Sequence, residues 1–234
     1  MDPKEAELLA ALRNGEFAFA DFGCGSGGSI DFCQNRFKRG KGLGFDKKPV
    51  KIEACKEAGF PIVGQNVLEL DFPDSCIQFA SMLDFLEHLP TEEDAVKMLE
   101  VAKRMASDFI FIRHPSFEDT DYLAQFGLKI DWSDWNGHTN LMTVADFERV
   151  FADLGFTEYT VVPRTQLFDS SHPCIVPQSA PTDTVRYDEE KLGPKPLVYF
   201  TKPVWSQFEI FVKLNKDLSQ SDWAEILKDS ITNG

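Results

Sequence analysis

The chain has 234 residues, 43% of them hydrophobic, 26% charged and 12% aromatic, with a formal net charge of −14. That apolar share is ample for a large core. An acidity this strong repels polyanions on average, which argues against nucleic acid and anionic membranes as partners.

In chain order, residues 3–13 read as an amphipathic helix with Leu8, Leu9 and Leu12 on one face, ended by Gly15. The run 16–23 (EFAFADFG) alternates aromatics between glycines and suits a buried strand, and GGSIDFCQNRF then spaces Ile30, Phe32, Cys33 and Phe37 as a helix does. A second strand over 41–46 ends in Asp46. A helix follows over 48–59, stopped by Gly59, and a third strand over 60–67. Residues 77–89 begin as a strand and end in a polar, helix-like turn. Residues 91–106 form a strong helix with Thr91 as N-cap and Asp94 three residues on, and 108–115 form a fifth strand. A helix is predicted over 143–156 and a strand over 157–168. A proline-rich stretch over 169–196, with five of the thirteen prolines, cannot be one regular element. A strand over 197–214 and a short helix close the chain.

Strand and helix alternating at about 25-residue spacing predict a doubly wound α/β fold. The expected sheet has seven mostly parallel strands with helices on both faces. Its terminal strand pair should be antiparallel, with the proline-rich insertion between the last two strands. One domain should span 1–234, with 169–196 as an inserted lid or dimer contact. The N-terminal segment holds acids and no long apolar run, so no secretory signal is predicted, and no stretch approaches the ~20 apolar residues of a membrane helix. The five cysteines, Cys24, Cys33, Cys55, Cys76 and Cys174, form no CxxC pair and read as reduced thiols of a cytoplasmic protein. The basic stretch from Arg36 to Gly42 reads as a solvated turn.

Four glycines between Gly23 and Gly28 mark the turn from the first strand to the following helix, where a ligand can approach the backbone and an anion can meet the helix N-terminus. Gly23, Gly25 and Gly28 satisfy G-x-G-x-x-G, and Asp46 stands where an acid takes a ribose hydroxyl, which suits a nicotinamide cofactor. The same turn also reads D-x-G-x-G-x-G from Asp21 to Gly27. This resembles the class I S-adenosylmethionine-dependent methyltransferases, small-molecule branch, over roughly residues 8–168 and 197–214. Further along, Asp46, Asn66-Val67, SMLDFLEHLP (81–90), the late helix and the closing strand pair follow in the family's order.

The resemblance implies S-adenosylmethionine as cofactor, S-adenosylhomocysteine as its product, and methyl transfer to an O or N atom of a small-molecule acceptor. It implies Asp21 at the ammonium end and the turn Gly23, Cys24, Gly25 and Gly27 against the ligand. Asp46 with Lys47 would meet the ribose, Asn66 and Val67 the adenine, and Leu83 the end of the fourth strand.

Chemistry in such sheets occurs beyond the carboxyl ends of the strands. The candidate bases there are His88, His114 and His138, since an imidazole titrates near neutrality. Asp84, Arg113, Trp132 and Trp135 are the candidate substrate contacts. The stretch 121–140 mixes aromatics with acids and would suit a cation or an aromatic amine. Asp84, Glu87, His88 and His138 are also similar to the E-x-x-E-H…H metal site of small-RNA 3′-terminal ribose methyltransferases, with Asp84 in place of the first Glu. That leaves a metal-dependent ribose 2′-O-methyltransferase as an alternative, and a non-catalytic cofactor-binding scaffold as another. The preferred expectation is no metal.

Overall fold

The computed structural model describes residues 2–232. The elements run α1 (Pro3–Arg13), β1 (Phe19–Phe22), α2 (Gly28–Phe37), β2 (Gly42–Phe45), α3 (Pro49–Glu57), β3 (Ile62–Val63), β4 (Ile77–Leu83), α4 (Glu92–Met105), β5 (Ala106–Pro115), α5 (Thr120–Ala124), β6 (Leu128–Ile130), α6 (Val144–Asp153), β7 (Tyr159–Asp169), β8 (Ile175–Pro177), α7 (Glu189–Leu192), β9 (Tyr199–Lys213) and α8 (Gln220–Thr232). Seven strands form one sheet in the order β3-β2-β1-β4-β5-β9-β7. The pairs from β3 to β5 are parallel, while β9 runs antiparallel to both β5 and β7. Chain order reverses at β1, between β2 and β4, which opens a crevice at the carboxyl ends of these strands.

The sheet is buried on both faces, and the period-two alternation of its strands gives each face its own chemistry. Phe19, Phe79, Phe109, Phe111 and Phe211 pack on one face with Ile30 and Cys33 of α2, Cys55 of α3 and Ile226 and Leu227 of α8. Ala20, Ala80, Ile110, Ile112, Ile210 and Val212 point to the other face, against Leu9 and Leu12 of α1, Leu99 of α4 and Phe147 and Phe151 of α6. Register makes the aromatic face a ladder. Phe19 lies opposite Phe79 and Phe79 opposite Phe109, with ring centroids 4.6 and 4.7 Å apart and planes 11° and 6° from parallel.

Two features depart from the expectation. The stretch from Arg36 to Gly42 is not simply a solvated turn. The Arg36 side chain is buried against Glu209 (2.9 Å), with its guanidinium 5.0 Å from the Phe111 ring and 5.3 Å from that of Phe211, and Arg39 pairs with Asp108 (2.6 Å). A basic residue followed by glycines looks like surface in sequence, but the acid that draws Arg36 inward lies 173 positions away. The proline-rich insertion also contains a strand. β8 pairs antiparallel with β6 in a separate two-stranded sheet, over a satellite core of Leu123, Leu128, Ile130, Leu167, Ile175 and Val204.

Helix starts follow local chemistry. Thr91 caps α4 by accepting from the Asp94 amide. Thr143 and Asp146 form a full capping box at α6, with side chain and backbone satisfied reciprocally.

Candidate active site

The turn joining β1 to α2 is fastened to β2, since the amides of Gly23 and Cys24 both donate to the carbonyl of Phe45, at 2.9 and 3.1 Å. Gly23, Gly25 and Gly27 all have positive φ, at 73°, 55° and 93°, a region costly for residues with a Cβ. Their surroundings differ. A Cβ on Gly23 would overlap the Phe85 ring and one on Gly27 would lie 2.5 Å from Phe60, whereas one on Gly25 would meet nothing within 4 Å. Gly23 and Gly27 are therefore required by packing. At Gly25 the bare backbone faces open space, a cradle that a side chain would fill.

Asp46 borders this cradle. Its carboxylate accepts from the Gly25 amide (3.0 Å) and the Lys48 amide (2.8 Å), which holds it half-buried with lone pairs to spare; Lys47 beside it is exposed. Asp21 is fully buried and accepts from the hydroxyls of Ser81 (2.6 Å) and Ser29. Burial pushes its carboxyl up to about 6, while those two hydroxyls pull it down. Ser29 and Ser81 were not singled out in the sequence, because only the pairing of β1 with β4 and the start of α2 bring them to Asp21. Asn66 caps a short 3-10 turn over Val67–Glu69, accepting from the Leu68 amide (3.3 Å). Val67 and Leu83 are buried. The buried Cys24 thiol is raised far above its ordinary range by desolvation, so it packs rather than reacts.

A cavity of about 780 Å³ lies beyond the carboxyl ends of β4 and β5. Asp84, Glu87, His88 and Arg113 line one side, Trp132, Trp135 and His138 another, and His172 and Arg186 of the insertion a third. So all four candidate substrate contacts and two of the three candidate bases meet in one space. His114 does not. It is buried between Phe117 and Phe147, its Nδ1 2.8 Å from the Pro115 carbonyl, and desolvation lowers it to about 4.

A strap of hydrogen bonds brings His88 and His138 together. The Thr139 and Asn140 amides donate to the Glu87 carbonyl (2.9 and 3.1 Å). The Thr139 hydroxyl donates to the Leu89 carbonyl (2.7 Å) and the Asn140 side chain to that of Leu86 (3.1 Å). The imidazole centroids end 4.9 Å apart. Each Nδ1 faces a backbone carbonyl, Gly137 for His88 (2.7 Å) and Trp132 for His138 (2.8 Å). A carbonyl only accepts, so each Nδ1 carries the proton, and in a neutral ring Nε2 keeps its lone pair. Desolvation lowers the His138 pKa, which favours that neutral ring.

Two buried carboxylates complete the lining. Glu87 is 1% exposed and Asp131 3%, and among the described residues Glu87 Oε2 and Asp131 Oδ1 have no hydrogen-bond partner. Desolvation pushes Glu87 up to about 8. Each leaves one buried carboxyl oxygen open to a hydrogen bond from or to a ligand. Asp84, at φ 49°, is held by the Arg113 guanidinium. Trp132 and Trp135 are oriented by their Nε1 donors, to the carbonyls of Ser116 (3.1 Å) and Thr184 (2.9 Å). The acidic wall expected from 121–140 is thinner than its composition, because Asp134 pairs with Lys129 (2.5 Å).

Residues 20–108 match the family model described as a methyltransferase domain. Solved structures share the fold at low identity. One is a SAM-dependent methyltransferase from Archaeoglobus fulgidus (19% identical, covering 89% of this chain and 94% of that one, TM-score 0.57). Another is a SAM-dependent methyltransferase from Methanosarcina mazei (15%, 84% and 92%, TM-score 0.51). A third is the plantazolicin methyltransferase BpumL, solved with S-adenosylhomocysteine (10%, 92% and 86%, TM-score 0.51). No curated protein matches the sequence. Residues 20–108 thus match a methyltransferase domain, and the chain shares its fold with solved SAM-dependent methyltransferases. Among the described residues no helix is long and apolar enough to cross a membrane.

Proposed function

We propose that the protein transfers a methyl group from S-adenosylmethionine to an O or N atom of a small molecule held in the 780 Å³ cavity. The observation that carries this reading is the pair of imidazoles, His88 and His138, each with Nδ1 tied to a carbonyl and Nε2 left as an acceptor in the cavity wall. The open cradle at Gly25, bordered by Asp46, fits the cofactor: Asp46 has spare acceptor capacity for ribose hydroxyls, and no side chain blocks the approach. Asn66, Val67 and Leu83 would flank the adenine end, and Asp21 would act through the turn it braces. The cofactor supplies an activated methyl on a sulfonium.

The chain's own residues do the rest. Trp132 and Trp135 hold a flat or cationic acceptor. Asp131 Oδ1 takes a hydrogen bond from it. A histidine Nε2 receives the proton that an O–H or N–H acceptor must lose. The segment 169–196, which contributes His172 and Arg186 to the wall, covers the site and excludes water.

The ribose-methylating alternative would need Asp84 as a ligand, and Asp84 is engaged by Arg113. A scaffold without turnover would have no use for two fixed acceptor nitrogens.

Incubation with methyl-labelled S-adenosylmethionine and a desalted small-molecule extract tests the reading. Label should appear in a low-mass product and be lost with His138→Asn. Label only in RNA or protein, or no transfer to any fraction, would overturn it.

A further inference from the structure

Asp131 opens the short 3-10 turn Asp131–Asp134 and lines the cavity together with Trp132 and Trp135. It is 3% exposed, and the protein fixes it from two directions. Its own amide donates to the Cys174 carbonyl (2.8 Å), which ties the turn to β8, and the Arg186 amide donates to its Oδ2 (2.8 Å). Arg186 presents that amide from a φ of 66°, a region that residues with a side chain seldom occupy. Among the described residues nothing bonds Oδ1. Backbone strain kept beside a buried, half-satisfied carboxylate is a mark of a ligand site rather than of a packed core.

The charge of Asp131 is also unanswered. Among the described residues no cationic side chain forms an ion pair with it. Lys129 is taken by Asp134 (2.5 Å) and Arg113 by Asp84, while Arg186 is exposed and bonds Asp131 through its backbone. Burial raises the Asp131 carboxyl, against the Arg186 and Trp132 amides and the charge of Arg186, which lower it. A buried carboxylate is stable only when paired, so the missing cation is asked of the ligand, and the neighbouring indole faces favour the same charge.

The opposite requirement holds at the histidines. His138 is joined to the aromatic wall, its ring centroid 5.0 Å from that of Trp135 and its Nδ1 2.8 Å from the Trp132 carbonyl, and Nε2 of His88 and of His138 is an acceptor. An ammonium seated on Asp131 has no lone pair and cannot take a methyl group. The atom that does must be a second one, with a proton to give to Nε2.

We propose that the acceptor is a ring-bearing amine bound as a cation, with its ammonium on Asp131, its ring against Trp132 and Trp135, and a separate ring O–H or N–H as the methylated group. The last clause rests on the methyl transfer proposed above; binding of the cation does not. In that transfer the ring oxygen or nitrogen gives its proton to a histidine Nε2 and bonds the methyl carbon. The carbon–sulfur bond breaks with its electron pair left on sulfur, and the ammonium is unchanged.

The test is calorimetry on the full chain, with and without S-adenosylhomocysteine, using four probes of one shape. Tyramine carries the ammonium and a ring O–H, phenethylamine the ammonium alone, tyrosol a neutral hydroxyl in place of the ammonium, and para-hydroxyphenylacetate a carboxylate. Both amines should bind at least about tenfold more tightly than tyrosol, the least that a hydrogen bond to a charged group is worth. Asp131→Asn, which keeps the shape, should abolish that preference. Asp121→Asn, which removes the same charge from an exposed position in the preceding helix, should retain it. Tyrosol or para-hydroxyphenylacetate binding as tightly as tyramine to the parent would overturn the inference whether or not the variant folds. So would failure of both amines to bind, or an unchanged preference in Asp131→Asn. In the labelled-extract reaction the product should be retained by a cation exchanger near neutral pH. A labelled product that is neutral or anionic, or labelled on the amine nitrogen, would overturn this inference and leave the methyl transfer standing. No label in any product would remove the methyl transfer, while amine binding through Asp131 would still support the cation site.

Discussion

Asp46 illustrates how a single side chain can be set in place before its ligand arrives. Two backbone amides, from Gly25 and Lys48, hold the carboxylate in one orientation in the folded chain, and in the proposed function it meets the ribose diol. Asp46→Ala should weaken S-adenosylhomocysteine binding by about 1.5–3 kcal/mol, the worth of hydrogen bonds to a charged group. Calorimetry on parent and variant reads this directly, and NADH should give no heat with either.

His114 carries a different consequence. Its pKa falls from 6.5 to about 4 on burial, so the folded chain holds the ring neutral where the unfolded chain would protonate it. The stability this neutral ring contributes is present above pH 6.5 and is lost as the pH falls toward 4. A shift of that size corresponds to about 3 kcal/mol. Denaturant melts at pH 7 and pH 4.5 should therefore show a larger acid loss in the parent than in His114→Leu. Equal losses would show that the ring is not held neutral.

Among the elements, the sheet's aromatic face and the glycine turn depend on different limits of packing. Phe79 is stacked between Phe19 and Phe109 in the centre of the sheet, with no exposed surface. Phe79→Ala should cost about 3–5 kcal/mol of stability by denaturant unfolding, from lost burial and the cavity left behind. Gly27 has no such volume to lose. Its φ of 93° and the Phe60 ring 2.5 Å from any added Cβ mean that Gly27→Ala must both strain the backbone and shift α3's neighbour. Gly25→Ala meets no atom, so it should perturb stability only through its φ of 55° while blocking the ligand. Comparing the two variants separates packing from binding: stability should fall further in Gly27→Ala. Measurable cofactor affinity should persist in whatever fraction of Gly27→Ala folds, and fall in Gly25→Ala.

For the molecule as a whole, the insertion is the decisive addition to the fold. It is tied down at many points. The Arg186 amide donates to Asp131 (2.8 Å), Asp183 accepts from Asn136 (2.8 Å to its amide), and β8 covers the satellite core. Removing all of 169–196 would strip that core, so the sharper experiment keeps β8 and replaces 181–186 by a short Gly-Ser turn. Turnover should fall at least about tenfold, roughly 1.4 kcal/mol of barrier, while S-adenosylhomocysteine affinity stays as in the parent. Unchanged turnover would make that part of the segment a dispensable loop.

Much of this architecture was legible from local pattern alone. Period-two and period-3.6 hydrophobicity, glycine stops and Thr caps act over a few residues, so the order of strands and helices and the glycine turn could be read along the chain. The glycine turn from Asp21 to Gly27 and its neighbour Asp46 were legible for the same reason: the motif is contiguous or separated by one helix. What only the tertiary structure decided involves partners far apart in sequence. The burial of Arg36 against Glu209, the pairing of β8 with β6, the hydroxyls of Ser29 and Ser81 on Asp21, and the exclusion of His114 from the cavity all depend on long-range packing. So does the strap that sets His138 beside His88 across fifty residues, since every acceptor in it is a backbone carbonyl, a group that every residue carries and no sequence pattern marks.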